Sequence, residues 1–256
     1  MDTIPVTRAP QLCGARALFT TRAGGISRGE HESFNLARHV GDDPAAVEHN
    51  RSLLAQEMGA PLVFVQQVHG TTVHVLGRDT SQRTADSPAD EVPTADALVT
   101  DRDDIALAIM VADCMPVLLS DPEAGVIGAA HAGRRGLLDG ILVNTVEAMT
   151  TLGAKADGIT AVVGPSACGS CYEVPEAMRE ESRQMLSAVA SQTSWGTPAL
   201  DLWAGARQSL EEAGVPAEHV HVSGLCTLED HRFFSYRRSQ GTGRFAGVIR
   251  ALPRRP

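Results

Sequence analysis

Aromatic residues are scarce in this sequence, at 4% of 256 residues. We therefore expect an interior built mainly from Ala, Val, Leu and Ile rather than from packed rings. Long apolar runs are also missing, since no stretch approaches the roughly 18 residues that a membrane-spanning helix needs. The first residues, Met1–Pro5, lack the basic and then apolar layout of a secretory signal peptide. These absences predict a cytoplasmic protein with no membrane partner.

Positive charge is in deficit, because 22 Lys and Arg residues stand against 31 Asp and Glu, which gives a net charge of -9. Proteins that bind nucleic acids draw much of their affinity from Lys and Arg residues that neutralise phosphates. The chain has no such basic stripe, so we expect no nucleic-acid partner. A small-molecule ligand is the interpretation that fits, and pairing of two chains into a homodimer stays open.

A disulfide framework is excluded by the cysteines, which number five and are irregularly spaced. A chain of this length also needs no covalent staples. Cys168 and Cys171 form a C-x-x-C pair, but a redox pair should open a helix directly after a strand. Residues 172–175 intervene here, so a redox pair or a second zinc site is the less favoured interpretation and the role of the pair stays open. Cys226 is interpreted as a core residue, with a place in the pocket as the alternative.

Helical and strand-like segments alternate along the chain. Periodicity and end signals predict helices over 43–58, 137–152, 175–190 and 202–213. Strand-like runs bounded by Gly, Pro and Asp cover 15–20, 62–68, 72–76, 97–100, 105–111, 117–120, 126–130, 159–163, 220–222, 233–236 and 246–249. The run 105–111 lacks polar alternation, so we expect its strand to be buried on both faces.

This order of elements predicts an α/β fold, a single-domain mixed-sheet α/β sandwich that spans residues 1–256. Several strands are joined by short turns, which favours mixed sheets over a doubly wound parallel sheet. No repeat or long linker divides the chain. The polar stretch 78–93 is predicted to be a mobile surface loop.

Three residues at the ends of strand-like runs are candidate metal ligands: His69, Cys114 and His131. Two imidazoles and one thiolate suit Zn²⁺, and three protein ligands leave a fourth position open for water or substrate. Their spacings of 45 and 17 residues match no compact ligand motif. From the residues alone, core or turn positions are therefore an equally good interpretation.

A series of short motifs resembles one known family. In chain order they are Thr21-Arg22-Ala-Gly-Gly25, Phe34-Asn-Leu36, Gly41-Asp-Asp43, Asn50-Arg51, Gln67-Val-His-Gly70, Ala95-Asp-Ala-Leu-Val-Thr100, Ala112-Asp-Cys-Met-Pro116, His131-Ala-Gly-Arg-Arg-Gly136, Gly164-Pro165, Tyr172-Glu-Val174, Asp201-Leu202, Cys226-Thr227, Phe234-Ser-Tyr-Arg-Arg238 and Gly243-Arg244. Together they are similar to the laccase-domain family, also called YfiH-like or multicopper polyphenol oxidase-like. The resemblance runs from about residue 18 to residue 250.

The resemblance implies that His69, Cys114 and His131 bind zinc. It also implies phosphorolysis of adenosine, inosine and methylthioadenosine to free base and ribose 1-phosphate, together with deamination of adenosine. Peptidoglycan editing is an alternative within the same family, and so is copper-dependent phenol oxidation. Copper is the less favoured metal, because a multicopper oxidase needs paired histidine clusters and only His219 and His221 are paired here.

The candidate residues for nucleoside and phosphate are mostly cationic. Gly133-Arg134-Arg135-Gly136 leads into a predicted helix, where backbone N–H groups and both arginines could hold an anion. Arg22 and Arg51 are further candidates, because both lie in motifs of the resemblance, and a surface position or a salt bridge is the alternative for Arg51. Asn35 is a candidate for hydrogen bonds to ribose or base, with a turn-forming role as the alternative.

The catalytic step is less well defined by the sequence. Asn35 and Arg51 are its candidates, acting beside a zinc-bound water. Asp113 is interpreted as a residue that supports the metal ligands or the fold. No His-x-Glu motif supplies the general acid of other zinc deaminases. Arg134 occupies the position where the family usually has Trp, which bears on substrate preference.

Overall fold

The computed structural model describes residues 4–77 and 92–253. Most of the predicted surface loop, residues 78–91, lies outside the described residues. The α-helices of the described part are α1 (Pro44–Met58), α2 (Arg134–Leu138), α3 (Ile141–Thr151), α4 (Glu176–Met185) and α5 (Leu202–Glu212). None of these helices has the length and hydropathy required to cross a membrane, within the residues described.

Two mixed sheets form the centre of the protein. The first has five strands in the order β1 (Val6–Arg8), β2 (Ala15–Thr20), β13 (Phe245–Ala251), β6 (Ala106–Val111) and β3 (Leu62–Val63). The second has six, in the order β12 (Val220–Val222), β9 (Thr160–Val163), β7 (Met115–Asp121), β8 (Val126–Ala132), β5 (Ala97–Thr100) and β4 (Val73–Leu76). A separate antiparallel pair joins β10 (Ala190–Gln192) to β11 (Pro198–Leu200).

The side chains of the central strands alternate between two apolar layers. In β6, Leu107 and Ile109 pack between the two sheets, whereas Ala108 and Met110 face α1. In β7, Leu118 lies between the sheets, and its neighbours on the strand pack on the other face with α3 and α5. The layers therefore run α1, five-stranded sheet, six-stranded sheet, α3 with α5. This confirms the predicted mixed-sheet α/β sandwich and the burial of residues 105–111 on both faces, while the domain span of 1–256 stays a prediction.

The end signals of α1 work as the sequence predicts. The side chain of Asp43 accepts a hydrogen bond from the N–H of Ala45, and Pro44 occupies the first helical position. Gly59 ends the helix in the left-handed conformation, at φ 67°. Within the described residues, this helix begins and ends within one residue of the predicted bounds.

Several other predicted bounds are wrong. The helix predicted over 137–152 is two helices, because Gly140 adopts φ 98° between α2 and α3. The helix predicted over 175–190 ends at Met185, and residues 190–192 are strand β10. Residues 233–236 form no strand, although Phe233 and Phe234 are buried between the sheets.

The strand predicted over 62–68 also ends early, at Val63. Farther along, the side-chain amide of Gln67 makes the hydrogen bonds to β6 that a neighbouring strand would make. It donates to the carbonyl of Met110 at 2.8 Å and accepts from the N–H of Met110 at 3.0 Å. The backbone of this segment leaves the five-stranded sheet, and Gln66 pairs instead with residues 93–95, next to β5 of the six-stranded sheet.

Candidate metal centre and its cleft

The three candidate ligands meet at one end of the six-stranded sheet. Parallel strands β4 and β5 both begin there, β8 runs antiparallel to β5 and ends there, and β7 begins beside the end of β8. His69 lies in the turn before β4, Cys114 directly precedes β7, and His131 is the penultimate residue of β8. The sheet topology thus brings together residues that are far apart in the sequence.

The three side chains are close enough to share one metal ion. The ligand atoms of His69, Cys114 and His131 all lie within 4.8 Å of one another. Cys114 Sγ is 3.8 Å from His69 Nε2. Tetrahedral zinc bonds of about 2.3 Å to sulfur and about 2.0 Å to nitrogen would separate these two atoms by about 3.6 Å. The donor set and its spacing therefore fit a zinc-sized tetrahedral ion.

Asp96 orders two of these ligands and was not singled out by the sequence as a functional residue. Its carboxylate is fully buried and accepts a hydrogen bond from His131 Nδ1 at 2.8 Å. It also accepts from the N–H groups of Val68 at 3.2 Å, His69 at 2.9 Å and Gly70 at 2.7 Å. Burial alone would raise the pKa of Asp96, but the bonds from His131 and Gly70 hold it below its ordinary value. The ionised carboxylate keeps the proton of His131 on Nδ1 and leaves Nε2 for a metal.

The backbone beside the ligands adopts conformations that are costly for non-glycine residues. His69 has φ 61° and Asp113 has φ 87°. The three N–H bonds to Asp96 hold the first of these turns. Asp113 holds the second, because its carboxylate accepts from the Thr227 hydroxyl at 2.7 Å and from the Arg237 N–H at 2.8 Å. These bonds agree with the structural role predicted for Asp113.

Gly133 allows the chain to pass directly over the cluster. A Cβ atom at this position would lie 2.9 Å from Cys114 Sγ and 3.0 Å from His69 Cδ2. Real Cβ atoms essentially never approach other atoms below 3.0 Å. A side chain here would therefore displace the ligands.

Cys114 and His131 shift the pKa of each other. Burial would raise the pKa of Cys114, but the charge of His131 and hydrogen bonds from both histidines lower it to about 6. Burial would lower the pKa of His131, but the charge of Cys114 and the bond to Asp96 raise it to about 9. Cys114 is thus a thiolate at neutral pH, which is the form that binds metals.

A cleft of about 1260 Å³ opens over the cluster. Its lining is rich in cationic and aromatic side chains, which include Arg38, Arg51, Phe64, Arg134, Tyr172, Tyr236, Arg237 and Arg244. Asp113 is the only carboxylate among the described lining residues. In a protein with a net charge of -9, a cationic cleft of this kind favours an anionic ligand.

Arg51 is the most buried of these cations. Its guanidinium lies 4.0 Å from the centre of the Phe64 ring, and its Nε donates to the carbonyl of Leu36 at 2.9 Å. Burial lowers the pKa of Arg51 to about 10, so the side chain remains protonated at neutral pH. Burial and the charges of Arg244 and Arg51 lower the pKa of His39, which keeps this neighbouring imidazole neutral.

The other predicted binding residues divide into two groups. Arg134 lines the cleft, as Arg51 does, but Arg22, Asn35 and Arg135 are not among its lining residues. Arg22 donates to the carbonyl of Glu32 at 2.9 Å, and Arg135 is exposed on α2. The helix that begins at Arg134 has only five residues.

Asn35 is buried and uses its whole amide within the protein. Its Nδ2 donates to the Ala37 carbonyl and to Asp42, and its Oδ1 accepts from the N–H groups of Ala37 and Arg244. The structure therefore shows Asn35 fixing the backbone at Arg244 rather than facing the cleft.

Sequence reasoning missed the cleft residues Tyr172, Arg237 and Arg244. The guanidinium of Arg237 lies 4.3 Å from the centre of the Tyr172 ring. Arg244 is within electrostatic reach of Cys114 and Asp113. All three belong to the short motifs that carry the family resemblance, so the motifs contained the signal, but nothing in the sequence distinguished cleft residues from structural ones.

The fold and the site define an α/β sandwich protein with a candidate His₂Cys metal centre in a cationic cleft. The chain belongs to the family described as multi-copper polyphenol oxidoreductase laccase, whose model matches residues 16–251. It is 48% identical over 247 residues to a purine nucleoside phosphorylase of Streptomyces griseus, covering 94% of this chain and 96% of the relative. A purine nucleoside phosphorylase of Streptomyces coelicolor is 47% identical over 240 residues, covering 92% of this chain and 95% of the relative.

A solved structure is also closely similar. The crystal structure of YlmD from Geobacillus stearothermophilus superimposes with a TM-score of 0.88 at 35% identity, covering 99% of this chain and 100% of that one. The predicted family and fold class are thereby confirmed.

Proposed function

We propose that this chain is a zinc-dependent purine nucleoside phosphorylase that converts adenosine, inosine and methylthioadenosine to free base and ribose 1-phosphate. One observation carries the proposal: a cationic, aromatic-lined cleft opens directly over the cluster of His69, Cys114 and His131. Such a lining suits an anionic co-substrate and a flat purine base. Support also comes from the relatives named purine nucleoside phosphorylases, at 43–48% identity.

Zinc is the proposed metal, held by His69 Nε2, Cys114 Sγ and His131 Nε2. The mixed nitrogen and sulfur donor set supports zinc, and three protein ligands leave one position open. When bound, zinc would supply Lewis-acid polarisation of a substrate oxygen or a lowered pKa for a bound water. Asp96 would hold His131 in the tautomer that such a metal requires.

Arg51 and Arg244 form the proposed phosphate subsite. Both line the cleft, and neither forms a salt bridge with a carboxylate in the described part of the chain. Burial lowers the pKa of each, that of Arg51 to about 10, and a guanidinium group keeps its proton in proteins at neutral pH. Two fixed guanidinium groups can bind phosphate oxygens in the bidentate manner and aim one oxygen at the sugar. Asn35 would act through Arg244, as a positioning residue.

Tyr172, Arg134 and Arg237, which also line the cleft, form the proposed base subsite. The Tyr172 ring already stacks with Arg237, and Arg134 is within electrostatic reach of the Tyr172 hydroxyl. A purine face could stack on the Arg134 guanidinium in place of the tryptophan that the family usually has. In the reaction, a phosphate oxygen forms a bond to ribose C1′ as the C1′–N9 bond breaks, and the electron pair leaves with the base. The cationic walls would stabilise the entering phosphate and hold the sugar between the two subsites.

Adenosine deamination is the second activity in the proposal. It replaces the C6 amino group by oxygen from water and releases ammonia. Zinc deaminases use a glutamate beside the metal for the proton transfers. The described lining of the cleft contains no glutamate, so phosphorolysis is the better supported reaction.

The test combines a metal assay with product analysis on the purified full-length protein. We expect about one zinc ion bound at His69, Cys114 and His131 in each chain. Inosine should yield hypoxanthine and ribose 1-phosphate only when phosphate is supplied. Cys114→Ala should abolish both metal at this cluster and turnover, whereas the exposed Cys13→Ala should change neither. A zinc-loaded protein that leaves inosine, adenosine and methylthioadenosine intact with phosphate would overturn the proposal. Copper in place of zinc, with oxidation of phenols, would establish the oxidase alternative instead.

A further inference from the structure

A second group of side chains that can bind a metal lies outside the cleft that opens over His69, Cys114 and His131. Cys168, Cys171 and Cys226 are buried, at 9%, 8% and 5% exposure. The three Sγ atoms and a carboxylate oxygen of Glu229 all lie within 4.8 Å of one another. The sequence left the role of the C-x-x-C pair open, and the proposed phosphorylase does not use it.

The backbone builds this group from two paired loops. Cys171 and Tyr172 donate their N–H groups to the carbonyl of Cys168 at 3.0 and 2.9 Å, which closes a turn and brings both thiols to one side. In the other loop, the N–H of Glu229 bonds to the carbonyl of Cys226 at 3.2 Å. Ser166 joins the two loops, because it donates to Leu225 and accepts from Thr227, each at 3.1 Å.

The thiols interact with one another rather than with a separate apolar core. Cys168, Cys171 and Cys226 pack against one another as one buried cluster, and their Sγ atoms lie within 4.8 Å of one another. Trp203 and Leu228 pack against the trio on its apolar side. A disulfide would use two of these sulfurs and leave the third unpaired, whereas one metal ion uses all three.

We propose that Cys168, Cys171, Cys226 and Glu229 bind a second zinc ion, which is structural. Three thiolates and a carboxylate make a complete tetrahedral set for zinc, with no position left for substrate. Sulfur ligands select zinc over hard cations such as magnesium and calcium. Glu229 is exposed, so the metal enters and leaves from its side.

The two loops that carry this site also support the cleft. Cys171 is followed by Tyr172, which lines the cleft, and Cys226 is followed by Thr227, which donates to Asp113 beside Cys114. Ala167, in the first loop, also lines the cleft and donates its N–H to the Asp113 carbonyl at 3.0 Å. A zinc ion here would therefore join the two loops that support one wall of the cleft.

The test uses metal content, which does not depend on catalysis. The purified full-length protein, reconstituted with zinc alone and freed of excess, should hold about two zinc ions per chain by mass spectrometry. Cys114→Ala should remove one and Cys226→Ala the other. Exposed Glu229→Ala should leave the protein folded but weaken the second site by at least about tenfold against a chelator. Cys13→Ser is the matched control and should retain both ions.

Cobalt supplies an independent readout on the Cys114→Ala variant. Its remaining site should show the strong thiolate-to-cobalt charge-transfer band of a tetrahedral three-sulfur site, and Glu229→Ala should alter the visible bands. The proposal is overturned if Cys226→Ala holds as much zinc as the parent chain, or if Glu229→Ala resists the chelator as well as the parent chain does. It is also overturned by a disulfide within this trio in the intact mass, or by copper or iron at this site in the protein as purified, before reconstitution. All these outcomes are measured without nucleoside, so they do not depend on whether the protein is a phosphorylase.

Discussion

Asp96 and His131 are joined by a buried hydrogen bond in which His131 Nδ1 lies 2.8 Å from Asp96 Oδ1. The same carboxylate accepts the N–H of His69 at 2.9 Å. One buried anion thus fixes the imidazole of one candidate ligand and the backbone turn of another. Orientation of metal ligands by such partners is a general feature of metal sites.

Asp96→Asn should weaken metal binding at the cluster by about 10- to 100-fold. The neutral amide removes the charge that holds the His131 proton on Nδ1. Its NH₂ group would also face the N–H of Gly70, which places two hydrogen-bond donors against each other. The unpaired donors should also lower the free energy of unfolding by about 1–3 kcal/mol. Chelator competition and urea unfolding measure the two effects separately.

Asp121→Asn is the matched control for that substitution. Asp121 is a buried carboxylate at the far end of β7, and it accepts from the N–H groups of Glu123, Ala124 and Lys155. This variant should lose comparable stability but keep the metal affinity of the parent chain. Equal loss of metal in both variants would show that Asp96 acts only through stability.

Gly133→Ala should weaken metal binding by about tenfold while the protein stays folded. The added Cβ would lie 2.9 Å from Cys114 Sγ, so the ligands must separate. Gly133 has φ −76°, which alanine adopts without strain. Gly77→Ala, where no heavy atom lies within 4 Å of the new Cβ, is the control, and isothermal titration with zinc is the measurement. Unchanged affinity in Gly133→Ala would mean that the metal lies elsewhere.

Arg51→Lys should raise the KM for phosphate about tenfold and leave the KM for inosine unchanged. Lysine keeps the charge but loses the planar fork, and one charge-assisted hydrogen bond is worth about 1.5 kcal/mol. Arg22→Lys, outside the cleft lining, should leave both constants as they were. Steady-state kinetics with each substrate varied in turn distinguishes these outcomes, and a shift in the inosine KM alone would contradict the assignment of Arg51 to phosphate.

Arg134→Gln and Arg135→Gln compare two adjacent arginines of α2, of which only Arg134 lines the cleft. The first should raise the KM for inosine about threefold, because a cation–π contact with the base is worth about 0.5–1 kcal/mol. The second should behave like the parent chain. If both variants changed equally, a general charge effect rather than stacking would explain the result.

Much of the scaffold followed from local rules in the sequence. The run 105–111 lacks polar alternation because its strand has apolar neighbours on both faces, and α1 is delimited by Asp43 and Gly59. The ordered motifs were enough to identify the family. These signals depend on neighbouring residues or on residue identity, so they can be recognised from the sequence alone.

The geometry of the site was decided by tertiary structure. His69, Cys114 and His131 could be named as candidates, but only the parallel and antiparallel pairing of four strands brings them within 4.8 Å. No local pattern separates Arg51 from Arg22, or Arg134 from Arg135, because cleft and surface positions differ only in long-range packing. The role of Asp96 likewise depends on partners 26–35 residues away. Residue types and element positions were therefore determined by the sequence, whereas the contacts that make them a site were decided by how the two sheets close on each other.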